Sequence, residues 1–226
     1  MASVTLEAVT VRYPAAARPA LDAVDLHAAD GQLVVVAGPV RSGKSTLLRV
    51  VAGQEEPAEG RVLMGGVDVT GVPARDRGAV MVFQNYALYP HMSVGDNMSF
   101  ALRVAGVPEH ERAERVREAA QLLDLEDRLE HSPEDLTGPQ RQQVALARAV
   151  VRRPAVLLMD DPLATLPPGL KDHTAGLLRT LAHGLGVTTL HATTDPGPLA
   201  AAADRVLWLD SGRLLEDTAV TGPLVP

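Results

Sequence analysis

Lysine occurs at two positions in this chain, Lys44 and Lys171, and the first lies where chemistry is easiest to name. Gly38-Pro39-Val40-Arg41-Ser42-Gly43-Lys44-Ser45-Thr46 has the G-x-x-x-x-G-K-[ST] spacing of a phosphate-binding loop, after an apolar run and before a helical pattern. Glycines let backbone N–H groups wrap phosphate oxygens, and the N-terminus of the following helix adds a favourable field. Lys44 supplies a charge for the outer phosphates, and the Ser45 hydroxyl can ligate Mg²⁺. A second constellation is Ala155-Val-Leu-Leu-Met-Asp160-Asp161, an apolar run ending in two carboxylates. One can hold the metal through water while the next orients the attacking water. An isolated Asp pair would more simply cap a strand. Downstream of a phosphate loop, it reads as the metal end of a nucleoside triphosphate site.

The elements that must position these residues follow from periodicity. Val4, Leu6 and Ala8 alternate with Thr5 and Glu7, and Leu21, Val24 and Leu26 follow a turn-rich Pro14–Pro19. With Arg61–Met64 and Val67–Thr70 joined through Gly65-Gly66, they predict antiparallel strands and a hairpin. Leu33–Ala37 and Ala155–Met159 are continuous apolar runs, which suit parallel strands buried on both faces. A helix is predicted after the first run, with Leu47, Leu48 and Val51 on one side and Gly53 as its stop. Residues 107–152 are helical in character. Glu109–Leu125 carries a stripe of Val116, Ala120 and Leu123, and Gln140–Val151 forms a second helical pattern. Arg205–Asp210 and Arg213–Glu216 flank a Ser211-Gly212 turn and return the chain to strand. The pattern is an α/β core with an inserted helical subdomain.

Composition bounds the function. The 226 residues carry a formal net charge of −7, which argues against a non-specific nucleic-acid binder. There is no cysteine, hence no disulfide and no thiolate chemistry. The first residues lack the basic and apolar regions of a signal peptide, and the longest apolar runs are too short to span a bilayer. Any service to a membrane is therefore expected from its surface, without direct insertion. Isoleucine is absent while arginine, alanine and valine are plentiful, a drift that makes a retained lysine informative.

Almost the whole chain resembles an ATP-binding cassette (ABC) ATPase, most closely the ATP-binding subunits of carbohydrate importers. The subfamily likeness rests on Pro73-Ala-Arg-Asp-Arg-Gly-Ala-Val-Met-Val-Phe-Gln84-Asn-Tyr-Ala-Leu-Tyr-Pro-His-Met and on Val94-Gly-Asp-Asn-Met-Ser-Phe. The resemblance implies an ABC-type phosphate-loop core with an antiparallel β subdomain, in a single cassette over residues 1–226 with its helical insert at about 85–152. It implies ATP and Mg²⁺ as cofactors, with Tyr13 stacking on adenine and residues 38–46 cradling the phosphates. Ser45, Gln84 and Asp160 serve the metal, and Asp161, Gln84 and Thr194 occupy the catalytic positions. Leu136-Thr137-Gly138-Pro139-Gln140-Arg-Gln-Gln-Val-Ala-Leu-Ala-Arg-Ala matches the signature motif, so Thr137, Gly138 and Gln140 are expected to face ATP held by a second subunit. The partners implied are transmembrane permease subunits and a homo- or heterodimeric ABC ATPase partner, at the cytoplasmic face of the cell membrane. Sugar-importer ATPases usually carry a further C-terminal regulatory domain, and with the sequence ending soon after Gly222 the expectation is either a shorter relative or a truncated chain.

Five positions depart from the family pattern. Asp161 stands for a catalytic glutamate, one methylene shorter, and Thr194 for the switch histidine. Nearby His191 reads as a packing residue and not as a replacement. Pro139 replaces a signature glycine and removes a backbone donor while suiting the first turn of a helix. Pro167 replaces an aspartate of the loop through which subunits communicate, and Arg41 a glycine of the phosphate loop. Retained ATP binding with slowed hydrolysis is the expectation. A regulatory pseudo-ATPase is the alternative, and the segment around Gln84 argues against a soluble ABC protein of repair or translation.

Overall fold

The computed structural model describes residues 2–14, 16–83, 88–163 and 168–220. The chain divides into two compact units, residues 1–81 with 155–226, and residues 82–154.

The first unit holds two sheets. β1 (Val4–Val11), β2 (Leu21–Ala28), β4 (Glu59–Met64) and β5 (Val67–Asp68) form a four-stranded antiparallel sheet in the order β2-β1-β4-β5. The second sheet contains β3 (Leu33–Ala37), β6 (Ala79–Val82), β7 (Val156–Asp160), β8 (Thr188–Thr193), β9 (Arg205–Asp210) and β10 (Arg213–Ala219). Its order is β10-β9-β3-β8-β7-β6, with β3 parallel to both β8 and β9 and β7 parallel to β8. Every residue of β3 and β8 is buried, which explains why β3 reads as an unbroken apolar run.

Between the sheets lies α1 (Lys44–Ala52), whose Leu47, Leu48, Val50 and Val51 are buried with Val4, Leu6, Leu158, Leu190 and Leu207. Gly53 ends α1 in a left-handed conformation, as the sequence predicts. One expectation is corrected here. Ala8 does not continue the inward face of β1: it is exposed, at φ 47°, in a register shift between Leu6 and Val9. The extra residue is a β-bulge, after which Val9 and Val11 resume the buried face. Ala23 (φ 47°) lies in the matching irregularity of β2.

β6, α5 (Pro168–Leu185) and the short α6 (Gly197–Ala200) that follows β8 have no counterpart in the sequence reading.

The second unit is helical: α2 (Val94–Val104), α3 (Glu109–Leu122) and α4 (Gly138–Val150) pack on one another. Buried Asn97 of α2 ties down the segment before it, accepting from Tyr89 N–H and donating to the carbonyls of Tyr89, Met92 and Ser93. The Tyr89 ring lies 4.8 Å from Phe100, with the Arg148 guanidinium 4.9 Å from its centroid. Among the described residues no helix is long and apolar enough to cross a membrane.

Candidate functional site

The loop from Gly38 to Gly43 runs from the C-terminal end of β3 into α1, so the first backbone N–H groups of that helix have no intrahelical partner and face the loop. Gly43 takes φ 109°, and a Cβ there would stand 2.4 Å from Ala20 O. Only glycine satisfies both demands. Val40 and Arg41 are exposed at the loop tip, and Arg41 adopts a left-handed φ of 68°.

Lys44 is buried, yet among the described residues no carboxylate comes within ion-pair distance of it. Its Nζ donates instead to the carbonyls of Gly38 (2.8 Å) and Pro39 (2.7 Å), with Ser42 Oγ at 3.3 Å. Burial holds the ammonium below the usual lysine range, and the charges of Asp161 and Asp160 act against that shift. A cation held in the interior by carbonyl and hydroxyl dipoles, with no ion pair among the described residues, is a seat for an anion. Ser45 Oγ donates to Asp160 Oδ1 at 2.9 Å, joining the phosphate loop to the end of β7.

Tyr13, Ser42, Lys44, Ser45 and Thr46 share one cleft with Arg41 and Ala20, of about 430 Å³. The Tyr13 hydroxyl donates to Glu55 Oε2 (3.2 Å) and lies 3.3 Å from Thr46 Oγ1. Asp161, at φ 46°, follows Asp160, and its carboxylate accepts from the hydroxyls of Thr193 (3.1 Å) and Thr194 (3.3 Å). The structure therefore brings together Tyr13, residues 38–46 and Asp160, and separately pairs Asp161 with Thr194. Glu55 and Thr193 are contacts that the sequence reading missed. The signal for Thr193 was its place beside Thr194. Nothing in spacing marks Glu55.

In the helical unit, Thr137 is the N-cap of α4 and forms a reciprocal capping box with Gln140. Thr137 N–H donates to Gln140 Oε1 at 2.9 Å, while Gln140 N–H reaches Thr137 Oγ1 at 3.4 Å. Gly138 opens the helix and Pro139 sits in its first turn, where a missing N–H leaves the helix ladder intact. Gln84 and Pro167 lie outside the described residues. His191, in β8, is wholly buried and, among the described residues, has no hydrogen-bond partner at either ring nitrogen.

The residues of the first unit fit a magnesium nucleotide. The unpaired interior cation suits a polyphosphate, and Ser45 beside Asp160 offers hard oxygen ligands. Among the described residues no three His, Cys, Asp or Glu side chains converge. An ion held there would need further oxygen ligands from outside these side chains.

Fold and phosphate loop together define the phosphate-loop fold of an ATP-binding cassette. The ABC transporter family model matches residues 21–164, and the chain belongs to that family. Its relatives include the diacetylchitobiose uptake system ATP-binding protein MsiK of Streptomyces coelicolor, 47% identical over 95% of this chain and 57% of the relative. Another is the sn-glycerol-3-phosphate import ATP-binding protein UgpC of Chromobacterium violaceum, 43% identical over 95% of this chain and 58% of the relative. The chain thus spans little more than half the length of these relatives. Among solved structures, the dimeric ATP-binding cassette MJ0796 bound to ADP and Pi superposes with a TM-score of 0.82 at 27% identity, covering 97% of this chain and 99% of that one. The structure of cbiO1 from Clostridium perfringens, part of the ABC transporter complex cbiONQ, gives 0.87 at 26% identity over 96% and 88%.

Proposed function

We propose that this chain is the ATP-binding and ATP-hydrolysing subunit of an ABC importer, that it energises uptake of a sugar through a membrane permease, and that its hydrolysis is slow. The observation that carries the reading is the buried Lys44, held by loop carbonyls with no carboxylate partner among the described residues, in the cleft that Tyr13 also lines. The relatives support the transport class, since two of them are named as ATP-binding proteins for diacetylchitobiose uptake and sn-glycerol-3-phosphate import.

In this reading Tyr13 stacks on the base and residues 38–46 cradle the phosphates, with Lys44 meeting the outer ones. Ser45 and Asp160, with Gln84, hold Mg²⁺. Bound Mg·ATP supplies the phosphoanhydride whose cleavage drives transport. Asp161 orients the attacking water from a carboxylate one methylene shorter than glutamate, and a displacement on the order of 1 Å costs about a hundredfold. Thr194 offers a hydroxyl where the family has an imidazole, and Pro139 offers no N–H to a facing nucleotide. Thr137, Gly138 and Gln140 complete the site of a second cassette. The whole chain is one cassette, with residues 85–152 as its helical insert, working at the cytoplasmic face of the membrane against permease subunits.

A pseudo-ATPase that binds ATP and regulates an active partner is the second reading. It is favoured by the Asp161 carboxylate being tied on both oxygens to threonine hydroxyls. Steady-state Mg·ATP turnover, with Lys44→Ala as background, separates the two. Turnover above background, rising about tenfold or more in Asp161→Glu/Thr194→His, supports the slow motor. Binding without turnover supports the regulator. A wild-type rate that the double substitution does not raise contradicts the slowed-hydrolysis reading. Failure to co-purify with a multi-spanning permease contradicts the importer.

A further inference from the structure

The two departures nearest the reacting centre touch each other. Asp161 Oδ1 accepts from Thr193 Oγ1 at 3.1 Å and Oδ2 from Thr194 Oγ1 at 3.3 Å, so each carboxylate oxygen has one hydroxyl donor from the end of β8. The backbone is pinned alongside, with Asp161 N–H donating to Ala192 O at 2.9 Å. At φ 46° the residue is in the left-handed region, where aspartate is enriched among non-glycine residues.

The hydroxyls have different duties. Thr193 Oγ1 divides its single hydrogen between Asp161 and the Asp195 carbonyl (3.2 Å) while accepting from Asp195 N–H, so it belongs to the turn. Thr194 is exposed, and Asp161 is its one side-chain hydrogen-bond partner among the described residues. Lys171, the second of the two lysines, secures this turn from α5. Its Nζ donates to Asp195 Oδ2 at 3.2 Å, while Asp195 Oδ1 accepts from Gly197 N–H at 3.3 Å. Each departure shortens a side chain, and the shortened groups meet at hydrogen-bond distance. A carboxylate has about four acceptor sites, so two hydroxyl donors leave room for a water.

We infer that Asp161 and Thr194 are a matched pair, in which Thr194 is a positioning residue that holds the Asp161 carboxylate at the end of β8. The two departures then compensate each other and do not add as independent defects. This rests on the ATP-hydrolysing reading of the site, and it predicts strong coupling between positions 161 and 194.

The test combines steady-state Mg·ATP turnover of the full chain, above the Lys44→Ala background, with melting of the nucleotide-free chain. Thr194→Val lowers kcat about tenfold with KM within about twofold, the pattern of an aim lost at an intact binding site, and Thr194→Ser recovers most of the rate. Asp161→Glu alone and Thr194→His alone leave turnover at or below wild type, and only the two together raise it. Without nucleotide, Thr194→Val lowers Tm by about 2 °C in the wild-type chain and by nothing in an Asp161→Ala background. The inference is overturned by equal kcat losses in the valine and serine variants, by a gain from either single restoration, or by additive Tm shifts. It is also overturned if the wild-type chain binds ATP but shows no turnover above background. The broader nucleotide reading survives those outcomes, and falls only if Lys44→Ala binds ATP as well as the wild type.

Discussion

Arg41 and His191 each pay a local cost that can be measured. At φ 68° Arg41 occupies a conformation that disfavours an L residue by about 1–2 kcal/mol, and its exposed side chain makes no hydrogen bond or ion pair among the described residues. Arg41→Gly is expected to raise the unfolding free energy by about 1 kcal/mol, seen as a higher denaturant midpoint at an unchanged m-value. A lower midpoint would show that the side chain contributes contacts that outweigh the strain. His191 is the interior counterpart. Burial pushes its imidazole down to about 3, whereas an unfolded histidine titrates near 6.5. Between those values the unfolded chain binds the extra proton, so stability is full above about 6.5 and drains as the pH falls toward 3. At pH 5 the loss amounts to about 2 kcal/mol. His191→Leu should remove it, so melting at pH 5 and at pH 7.5 should lie closer together than in the wild type. An unchanged gap would mean that the ring has a proton acceptor when charged.

At the scale of elements, α1 depends on a residue outside it. Buried Arg77 lies across the C-terminal end of this helix, donating from Nη1 to Val50 O (2.8 Å), from Nη2 to Thr70 O (2.7 Å) and from Nε to Val72 O (2.8 Å). A cation at a helix C-terminus is favourable, and here Nη1 reaches Val51 O (3.3 Å) as well as Val50 O, which also accepts from Gly53 N–H. The fit requires Gly53, since a Cβ there would come within 2.5 Å of Arg77 Nε. Arg77→Met should cost about 3 kcal/mol in chemical denaturation by stranding those acceptors, and a loss below about 1 kcal/mol would show that water replaces the guanidinium. Arg77 also marks the limit of what periodicity reveals, because its contacts span elements that no local pattern connects. β3, β7 and α1 were legible because burial on both faces or on one helical stripe leaves a plain apolar signature. The β1 bulge was half legible: the three-residue steps from Leu6 to Val9 and from Leu21 to Val24 break strict alternation, but only pairing shows which residue is extra. α5 was hidden by Pro168, Gly169, Gly176 and Gly184, although its buried Ala175, Leu178, Leu181 and Ala182 keep helical spacing. β6 has only four residues, too few for a period to show. In the site, the phosphate loop is contiguous and therefore readable. The Thr193 and Thr194 contacts to Asp161 join residues more than thirty positions apart and appear only in three dimensions.

At the scale of the whole molecule, the chain is a family cassette whose first unit carries the phosphate loop, the Tyr13 cleft and the Asp160–Asp161 pair. The helical unit carries the capped start of α4, with Thr137 and Gln140 bonded to each other. Slow hydrolysis, a dimer closed over ATP and coupling to a permease all presuppose that the first unit binds nucleotide through its interior lysine. Equilibrium binding of ATP with Mg²⁺ to the wild-type chain and to Lys44→Ala tests that premise most directly. The account predicts saturable binding by the wild type, weakened at least about tenfold by the loss of the Lys44 charge, since a hydrogen bond to a charged group contributes about 1.5–3 kcal/mol. Equal affinity in the two chains would contradict it.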